Sequence, residues 1–197
     1  CNGGNNGIAT VAPNGGTGPY TFNWSPSGGT GPSAVGLTAG TYVVTVTDVN
    51  LCTKLDTVVI TEPAALTLNI ASTSNVNCFG GRGSATVAAT GGTPFYTYNW
   101  LPNGGNNPTA VNLFAGTYTV NVTDINGCNA STNITITQPA QALTTATGVV
   151  SNVSCFGGND GVASVIPSGG TPGYAYQWSP SGGTAATASG LTIPALA

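Results

Sequence analysis

The chain is poor in charge, because its 197 residues include only two Lys or Arg, five Asp or Glu and no His. The small number of Lys and Arg residues excludes nucleic acid as a partner, because phosphate binding needs clustered cations. It also excludes attraction to anionic lipid. Without histidine, no Ser-His-Asp or Cys-His catalytic group can form, and the few acids are scattered over the chain. We therefore predict that the protein is not an enzyme.

Long apolar runs are also missing. No stretch of about 18 apolar residues occurs, so we expect no membrane insertion, and no signal peptide is visible. Hydrophobic residues nevertheless make up 40% of the chain, which is too much for a disordered protein. Val, Ile, Tyr, Trp and Ala alternate with Thr, Ser and Asn, a composition typical of β-strands.

The sequence repeats with a period of about 77 residues. Cysteines occur 77 residues apart, twice over, at Cys1, Cys78 and Cys155. Tryptophans recur at intervals of 76 and 78, at Trp24, Trp100 and Trp178. A period of this length indicates a tandem array of small domains, each able to close its own core. We predict a repeat at 1–63 that lacks its first strand, a complete repeat at 64–139, and a C-terminally truncated repeat at 140–197. The chain is thus expected to be a window from a longer array.

Each repeat is predicted to be an immunoglobulin-like antiparallel β-sandwich. The complete repeat shows about seven short alternating segments, with turn signals every 8–12 residues and no helical periodicity. One strand in each repeat carries three aromatic residues on one face, and we expect them in the core: Tyr20, Phe22, Trp24, Tyr96, Tyr98, Trp100, Tyr174, Tyr176 and Trp178. The alternative is an exposed platform on which sugars stack.

The five cysteines fit the repeat. Cys1 is 51 residues from Cys52, and Cys78 is 50 residues from Cys128. These matched spacings favour disulfides within repeats, Cys1–Cys52 and Cys78–Cys128. Cys155 is then expected to have its partner outside the chain, near position 205. Pairing across repeats, for example between Cys52 and Cys78, and reduced core thiols are the alternatives. Disulfides imply an oxidising compartment.

Short joints are predicted where Glu62-Pro63-Ala64 and Gln138-Pro139-Ala140 occupy equivalent places. Each proline ends a last strand and stiffens the connection to the next repeat. The tail, residues 193–197, departs from the Ala39-Gly40-Thr41-Tyr42 pattern expected there.

Oxygen-bearing side chains that can bind Ca²⁺ recur at one turn: Asp48, Asn50, Asp124 and Asn126. Asp and Asn also form hydrogen bonds with their own backbone in turns, and one carboxylate per repeat supplies few of the oxygen ligands that a dedicated Ca²⁺ site needs. We therefore predict no metal and no cofactor, with calcium as the alternative.

Several motifs occur together in the order of a known family. They are Cys78–Gly81, Gly91–Pro94, Tyr96–Trp100, Ala115–Tyr118, Val122–Cys128, Cys155–Gly161 and Trp178–Gly183. Their arrangement resembles the SprB repeat over essentially the whole chain, and is similar in outline to PKD-type domains. The first repeat departs at Asn2, where Phe is expected, and at Leu51, where Gly is expected. The resemblance implies a very large surface adhesin of the Bacteroidota, exported by the type IX system and, in gliding members, carried along the cell surface.

The function we expect is that of a stiff extracellular stalk in such an adhesin, at the cell surface. Its partners would be neighbouring repeats, other copies in a filament, and extracellular surfaces or polysaccharides. One alternative is a self-assembling fibre or sheath subunit, because an almost uncharged surface resists association weakly. The other is a carbohydrate-binding module, which would need exposed aromatic residues.

Overall fold

The computed structural model describes residues 1–192, so the divergent tail at 193–197 lies outside the described residues. Over residues 1–192 the chain forms β-strands and turns and no helix, which confirms the predicted all-β class. The strands are β1 (Gly7–Thr10), β2 (Thr21–Ser25), β3 (Ser33–Leu37), β4 (Gly40–Thr47), β5 (Thr53–Ile60), β6 (Thr67–Ser74), β7 (Gly83–Thr90), β8 (Thr97–Leu101), β9 (Thr109–Leu113), β10 (Gly116–Thr123), β11 (Asn129–Ile136), β12 (Thr144–Ser151), β13 (Gly161–Ser168) and β14 (Thr187–Leu191).

The strands form small antiparallel sheets that recur from repeat to repeat. The first repeat contains the sheets β1–β3 and β2–β4–β5, and the second contains β6–β7–β9 and β8–β10–β11. The described part of the third repeat contains β12–β13–β14. A register shift marks the same place in all three, beside Gly7, Gly83 and Gly161. Two sheets in each of the first two repeats fit the predicted sandwich.

Two details of the strand prediction were wrong. Residues 64–139 form six strands, β6 to β11, where about seven were predicted. In the third repeat the aromatic segment from Tyr174 to Trp178 forms no strand. Its counterpart β2 pairs with β4, and the positions equivalent to β4 lie outside the described residues, which end at 192.

The core of the first repeat lies around Trp24. Alternation along β2 and β4 turns Trp24, Tyr42 and Val44 inward, where they meet small residues of β1 and β3. Phe22 and Ile60 pack at its margin. The second repeat buries the equivalent positions, and its largest fully buried side chains are Val87, Trp100, Leu113, Val120, Val122 and Ile136.

By spatial proximity the chain divides into two compact units. The first consists of Cys1–Asn69, Ala88–Asn99 and Val120–Thr132, and the second of Ile70–Val87, Trp100–Thr119 and the described residues from Asn133 onward. The first compact unit therefore includes the joint at residues 62–64, and the second includes the joint at 138–140. The division into repeats at 1–63, 64–139 and 140–197 stays a prediction.

Candidate functional site

The recurring polar and sulfur-bearing residues lie together at the ends of the repeats. Three local structures recur there. The rear turns are Cys1–Gly4, Cys78–Gly81 and Cys155–Gly158; the hairpins are Asp48–Cys52 and Asp124–Cys128; the front loops are Gly15–Thr17, Gly91–Thr93 and Gly169–Thr171.

The first rear turn is held by the residues that follow β5. The amide of Gly4 donates to the carbonyl oxygen of Cys1 at 3.0 Å, which closes the turn. The amide of Gly3 donates to the carboxylate of Glu62. The side chain of Asn2 donates to Glu62 and to the carbonyl of Pro63, both at 3.1 Å. The turn is therefore fixed to the joint.

The second rear turn is built in the same way with a neutral acceptor. The amide of Gly81 donates to Cys78 at 2.9 Å, and the amide of Gly80 donates to Oε1 of Gln138 at 3.0 Å. Sequence reasoning missed this role of Glu62 and Gln138. A signal was available, because Glu62 and Gln138 occupy equivalent positions directly before the proline of each joint. Both side chains have the same length and carry an acceptor oxygen.

A buried aspartate organises each hairpin. Oδ1 of Asp124 accepts from the amides of Asn126 at 2.9 Å and Cys128 at 2.8 Å, and Oδ2 accepts from the amide of Thr93 at 2.8 Å. These backbone donors, that of Thr93 above all, lower the pKa of Asp124 below its ordinary value of 3.8, although desolvation opposes the shift. The carboxylate thus joins the hairpin to the front loop.

Asp48 does the same in the first repeat. It accepts from the amides of Cys52 at 2.8 Å, Asn50 at 2.9 Å and Thr17 at 3.1 Å. Hydrogen bonds from Cys52 and then Thr17 are the main causes that lower the pKa of Asp48.

The calcium candidates therefore have other partners in the structure. The carboxylates of Asp48 and Asp124 accept backbone amides, and the side-chain amide of Asn126 donates to Oγ1 of Thr93 at 2.8 Å. Within residues 1–192 no three His, Cys, Asp or Glu side chains lie close enough together to hold a metal ion. This geometry favours a turn role for Asp48, Asn50, Asp124 and Asn126.

The disulfide links a rear turn to a hairpin of the following repeat. Cys1 is bonded to Cys128, with the two Cα atoms 5.3 Å apart. Cys52, Cys78 and Cys155 are free and exposed. The predicted pairs Cys1–Cys52 and Cys78–Cys128 were therefore wrong, and the bond crosses from one predicted repeat to the next.

The reason lies in the position of β5. Cys52 immediately precedes this strand, whereas the Cys1 turn is bonded to Glu62 beyond its far end. An eight-residue strand is about 26 Å long, and a disulfide requires Cα atoms within roughly 7 Å. Cys1 and Cys52 thus lie at opposite ends of one repeat. Equal spacing in the sequence reflected the repeat period and not proximity.

The aromatic residues lie inward. Trp24 and Trp100 are buried, and the other seven aromatic candidates are half-buried. Each Trp indole donates to a carbonyl seven residues later, at 3.0, 2.9 and 2.9 Å for Trp24, Trp100 and Trp178. The hydroxyls of the leading tyrosines donate to glycine carbonyls of the front loops, from Tyr20, Tyr96 and Tyr174. Each of these indole and hydroxyl groups is thus bonded within its own repeat.

The hydroxyl bonds of two further tyrosines were not predicted from the sequence. Tyr42 and Tyr118 are buried, and each hydroxyl donates to a carbonyl four residues earlier, of Thr38 and Phe114, at 3.1 Å. This is the geometry of a tyrosine corner in immunoglobulin-like sandwiches. The recurring Ala-Gly-Thr-Tyr string was the available signal.

Comparison with known protein families found a match in each of the three predicted repeats. The family model described as SprB repeat matches residues 1–29, 70–105 and 147–185, together more than half of the chain. SprB repeats occur in cell-surface proteins. A search of the curated proteins found no match.

Among solved structures, the chain is similar to the three N-terminal domains of the highly immunogenic outer capsid protein (Hoc) of bacteriophage RB49. The identity is 17% and the TM-score 0.48, over 87% of this chain and 66% of the other, which is less than two thirds of its length. Across residues 1–192 no helix is long and apolar enough to cross a bilayer.

Proposed function

Because the chain belongs to the SprB repeat family, we propose that it is a non-catalytic segment of a long extracellular adhesin. It acts as a stiff, disulfide-stabilised stalk in surface attachment, including attachment during gliding. Its partners are neighbouring repeats and extracellular surfaces or polysaccharides, and its location is the outer surface of the cell.

The joint at residues 62–64 carries this proposal. Glu62 and Pro63 hold the rear turn of the first repeat, while the carbonyl of Ala64 accepts the amide of Gly92 at 2.7 Å. The disulfide between Cys1 and Cys128 bridges the same joint. The joint is thus hydrogen-bonded to the repeat on either side and bridged by one disulfide, which restricts swing, as a load-bearing stalk needs.

The chemistry of the surface supports an extracellular location. A structural disulfide such as Cys1–Cys128 is typical of oxidising, extracytoplasmic compartments. Solubility rests on Thr, Ser and Asn rather than on charge, since only 4% of the residues are charged. Such a surface interacts weakly with many neutral materials and carries no electrostatic preference of its own.

A self-assembling fibre is the second candidate, and the low charge of the chain favours it. Only 4% of the residues are charged. Low charge offers little repulsion against such association.

Imaging and adhesion separate the two functions. The oxidised chain would be examined by negative-stain microscopy and by sedimentation velocity over a hundredfold concentration range, and beads coated with it would be tested on glass and on polysaccharide films. A stalk gives single strings at all concentrations and beads that attach more strongly than albumin-coated beads. Ordered bundles that grow with concentration support the fibre, and beads that attach no better than albumin-coated ones contradict an adhesive role.

A further inference from the structure

We propose that every joint in this type of array is a disulfide site, in which the rear-turn cysteine of one repeat bonds to the hairpin cysteine of the next. Cys78 and Cys155 are rear-turn halves of this site, and Cys52 is a hairpin half. This inference concerns how the repeats are connected and does not depend on what the array attaches to.

The first joint provides the geometry. Cys1 and Cys128 belong to the rear turn of the first repeat and the hairpin of the second, and their Cα separation of 5.3 Å lies within the range of disulfides. Both partners are fixed by local hydrogen bonds, Cys1 through the Glu62 joint and Cys128 through the carboxylate of Asp124. The position of each sulfur atom is therefore set by the local backbone. A repeat that has both a rear turn and a hairpin thus presents one disulfide-forming cysteine at each of its ends.

The second joint repeats this arrangement as far as the chain allows. Oγ1 of Thr171, in the front loop of the third repeat, donates to the carbonyl of Asn77, the residue before Cys78, at 3.5 Å. In the second repeat the equivalent Thr93 contacts the hairpin directly, through Asn126 and Asp124. The front loop that accompanies a hairpin thus lies beside Cys78. The third-repeat hairpin cysteine, expected near position 205, would arrive at the exposed Cys78 thiol.

Exposure of the rear turns agrees with this assignment. Phe79, next to Cys78, is 49% exposed, whereas the equivalent Phe156 is 102% exposed. The thiols of Cys78 and Cys155 are themselves free and exposed, so a hairpin cysteine of another repeat can reach them. The partner that fits is the front end of another SprB repeat, carrying an Asp-x-Asn-x-Cys hairpin.

The bond requires an oxidant, which we take to be a disulfide. One protein thiolate attacks the oxidant disulfide and forms a mixed disulfide, releasing one thiol. The second protein thiolate then attacks the protein sulfur of that intermediate and releases the other thiol. Two protein thiols are thus oxidised to one disulfide while one disulfide is reduced to two thiols. Oxidised glutathione performs this exchange in the experiment, and a surface or periplasmic dithiol oxidase would perform it in the cell.

The first test reads the connectivity from the chain's two basic residues. Trypsin cleaves after Lys54 and Arg82 only and yields fragments 1–54, 55–82 and 83–197. The full chain would be oxidised with glutathione, blocked with N-ethylmaleimide, denatured without reductant, digested and weighed. We expect fragment 1–54 joined to fragment 83–197, with 55–82 released. Fragment 55–82 joined to 83–197, with 1–54 separate, would indicate pairing within repeats and overturn the proposal.

Cysteine variants identify which residue of fragment 1–54 forms the bond. Cys52→Ser should leave the linkage of fragments 1–54 and 83–197 intact, and Cys1→Ser should abolish it. The opposite result would assign the bond to Cys52 and overturn the proposal.

The second test concerns the three cysteines that are unpaired within one copy, Cys52, Cys78 and Cys155. At high concentration under oxidised glutathione, copies should join end to end between Cys155 of one and Cys52 of another. We expect disulfide-linked dimers that are lost in Cys52→Ser and in Cys155→Ser but persist in Cys78→Ser, because the third repeat already lies beside Cys78. A chain that stays monomeric, or dimers lost in Cys78→Ser, would refute the extension to every joint.

Discussion

Cys1 and Cys128 are separated by 127 residues in sequence and joined by a disulfide in space. Each comes from a structure at the end of its repeat, and each is positioned by a hydrogen-bonded acidic side chain, Glu62 or Asp124. The covalent link thus stabilises the connection between repeats. Each sandwich must then be stable through its own core, which the burial of Trp24 in one and Trp100 in the other supplies.

Removal of this link should loosen the joint. In Cys128→Ser the denatured chain gains the conformational freedom of a long loop, and we expect a loss of about 2–4 kcal/mol in the free energy of unfolding. Urea unfolding of the oxidised variant and the parent chain measures it. Cys52→Ser is the matched control, since Cys52 is exposed and free, and its unfolding midpoint should equal that of the parent. Equal midpoints for Cys128→Ser and the parent chain would contradict a stabilising role.

Asp124→Asn should destabilise the hairpin. The carboxylate accepts three backbone amides, from Thr93, Asn126 and Cys128, and an amide side chain presents a donor to at least one of them. We expect a lower urea midpoint, and the same result for Asp48→Asn in the first repeat. Asp56→Asn is the control because Asp56 bonds only the adjacent, exposed amide of Thr57. A midpoint for Asp124→Asn no lower than that of Asp56→Asn would show that the network contributes nothing.

Acid should remove the same stabilisation. The folded-state pKa of Asp124 and of Asp48 is lowered below the ordinary 3.8, so the folded chain binds fewer protons than the unfolded chain. Their contribution is therefore complete above pH 3.8 and is lost as the pH falls through the lowered folded-state pKa. Thermal unfolding midpoints between pH 2 and 6 should fall at the acid end in the parent chain and fall less steeply in the double variant Asp48→Asn, Asp124→Asn. Identical slopes would argue against the assignment.

The front loop should be intolerant of a side chain at Gly91. This residue has a φ of +74°, and a Cβ there would lie 2.0 Å from the carbonyl oxygen of Ala65. Gly105 has a similar φ of +83° but open space around it. Gly105→Ala should therefore cost only the left-handed conformation, about 1–2 kcal/mol, whereas Gly91→Ala should cost more because the joint must shift as well. Equal losses in urea unfolding would show that the contact with Ala65 is not restrictive.

The sequence predicted the strands well because burial on one face imposes a period of two, which is visible along β4 and β10. The inward position of the aromatic strand follows from the same alternation. The disulfide pairing was predicted wrongly because a repeat period is compatible with both Cys1–Cys52 and Cys1–Cys128. Only the direction of β5, which places Cys1 and Cys52 at opposite ends of the first repeat, distinguishes the two pairs. The bond from the amide of Thr93 to Asp124 was also out of reach, since this donor is a backbone amide 31 residues away and carries no residue-specific signal.

The buried hydroxyl of Tyr118 offers a last test of the sandwich. It donates to the carbonyl of Phe114 at 3.1 Å from a side chain that is only 5% exposed. Tyr118→Phe leaves that carbonyl without this donor while preserving the ring, so we expect a loss of about 1–3 kcal/mol in the free energy of unfolding. Tyr20→Phe is the control because its bond to Gly15 is exposed, and water can replace it, so the expected loss is below about 0.5 kcal/mol. Urea unfolding of both variants measures the difference, and a Tyr118→Phe chain as stable as Tyr20→Phe would mean that the corner only positions the strand and does not stabilise it.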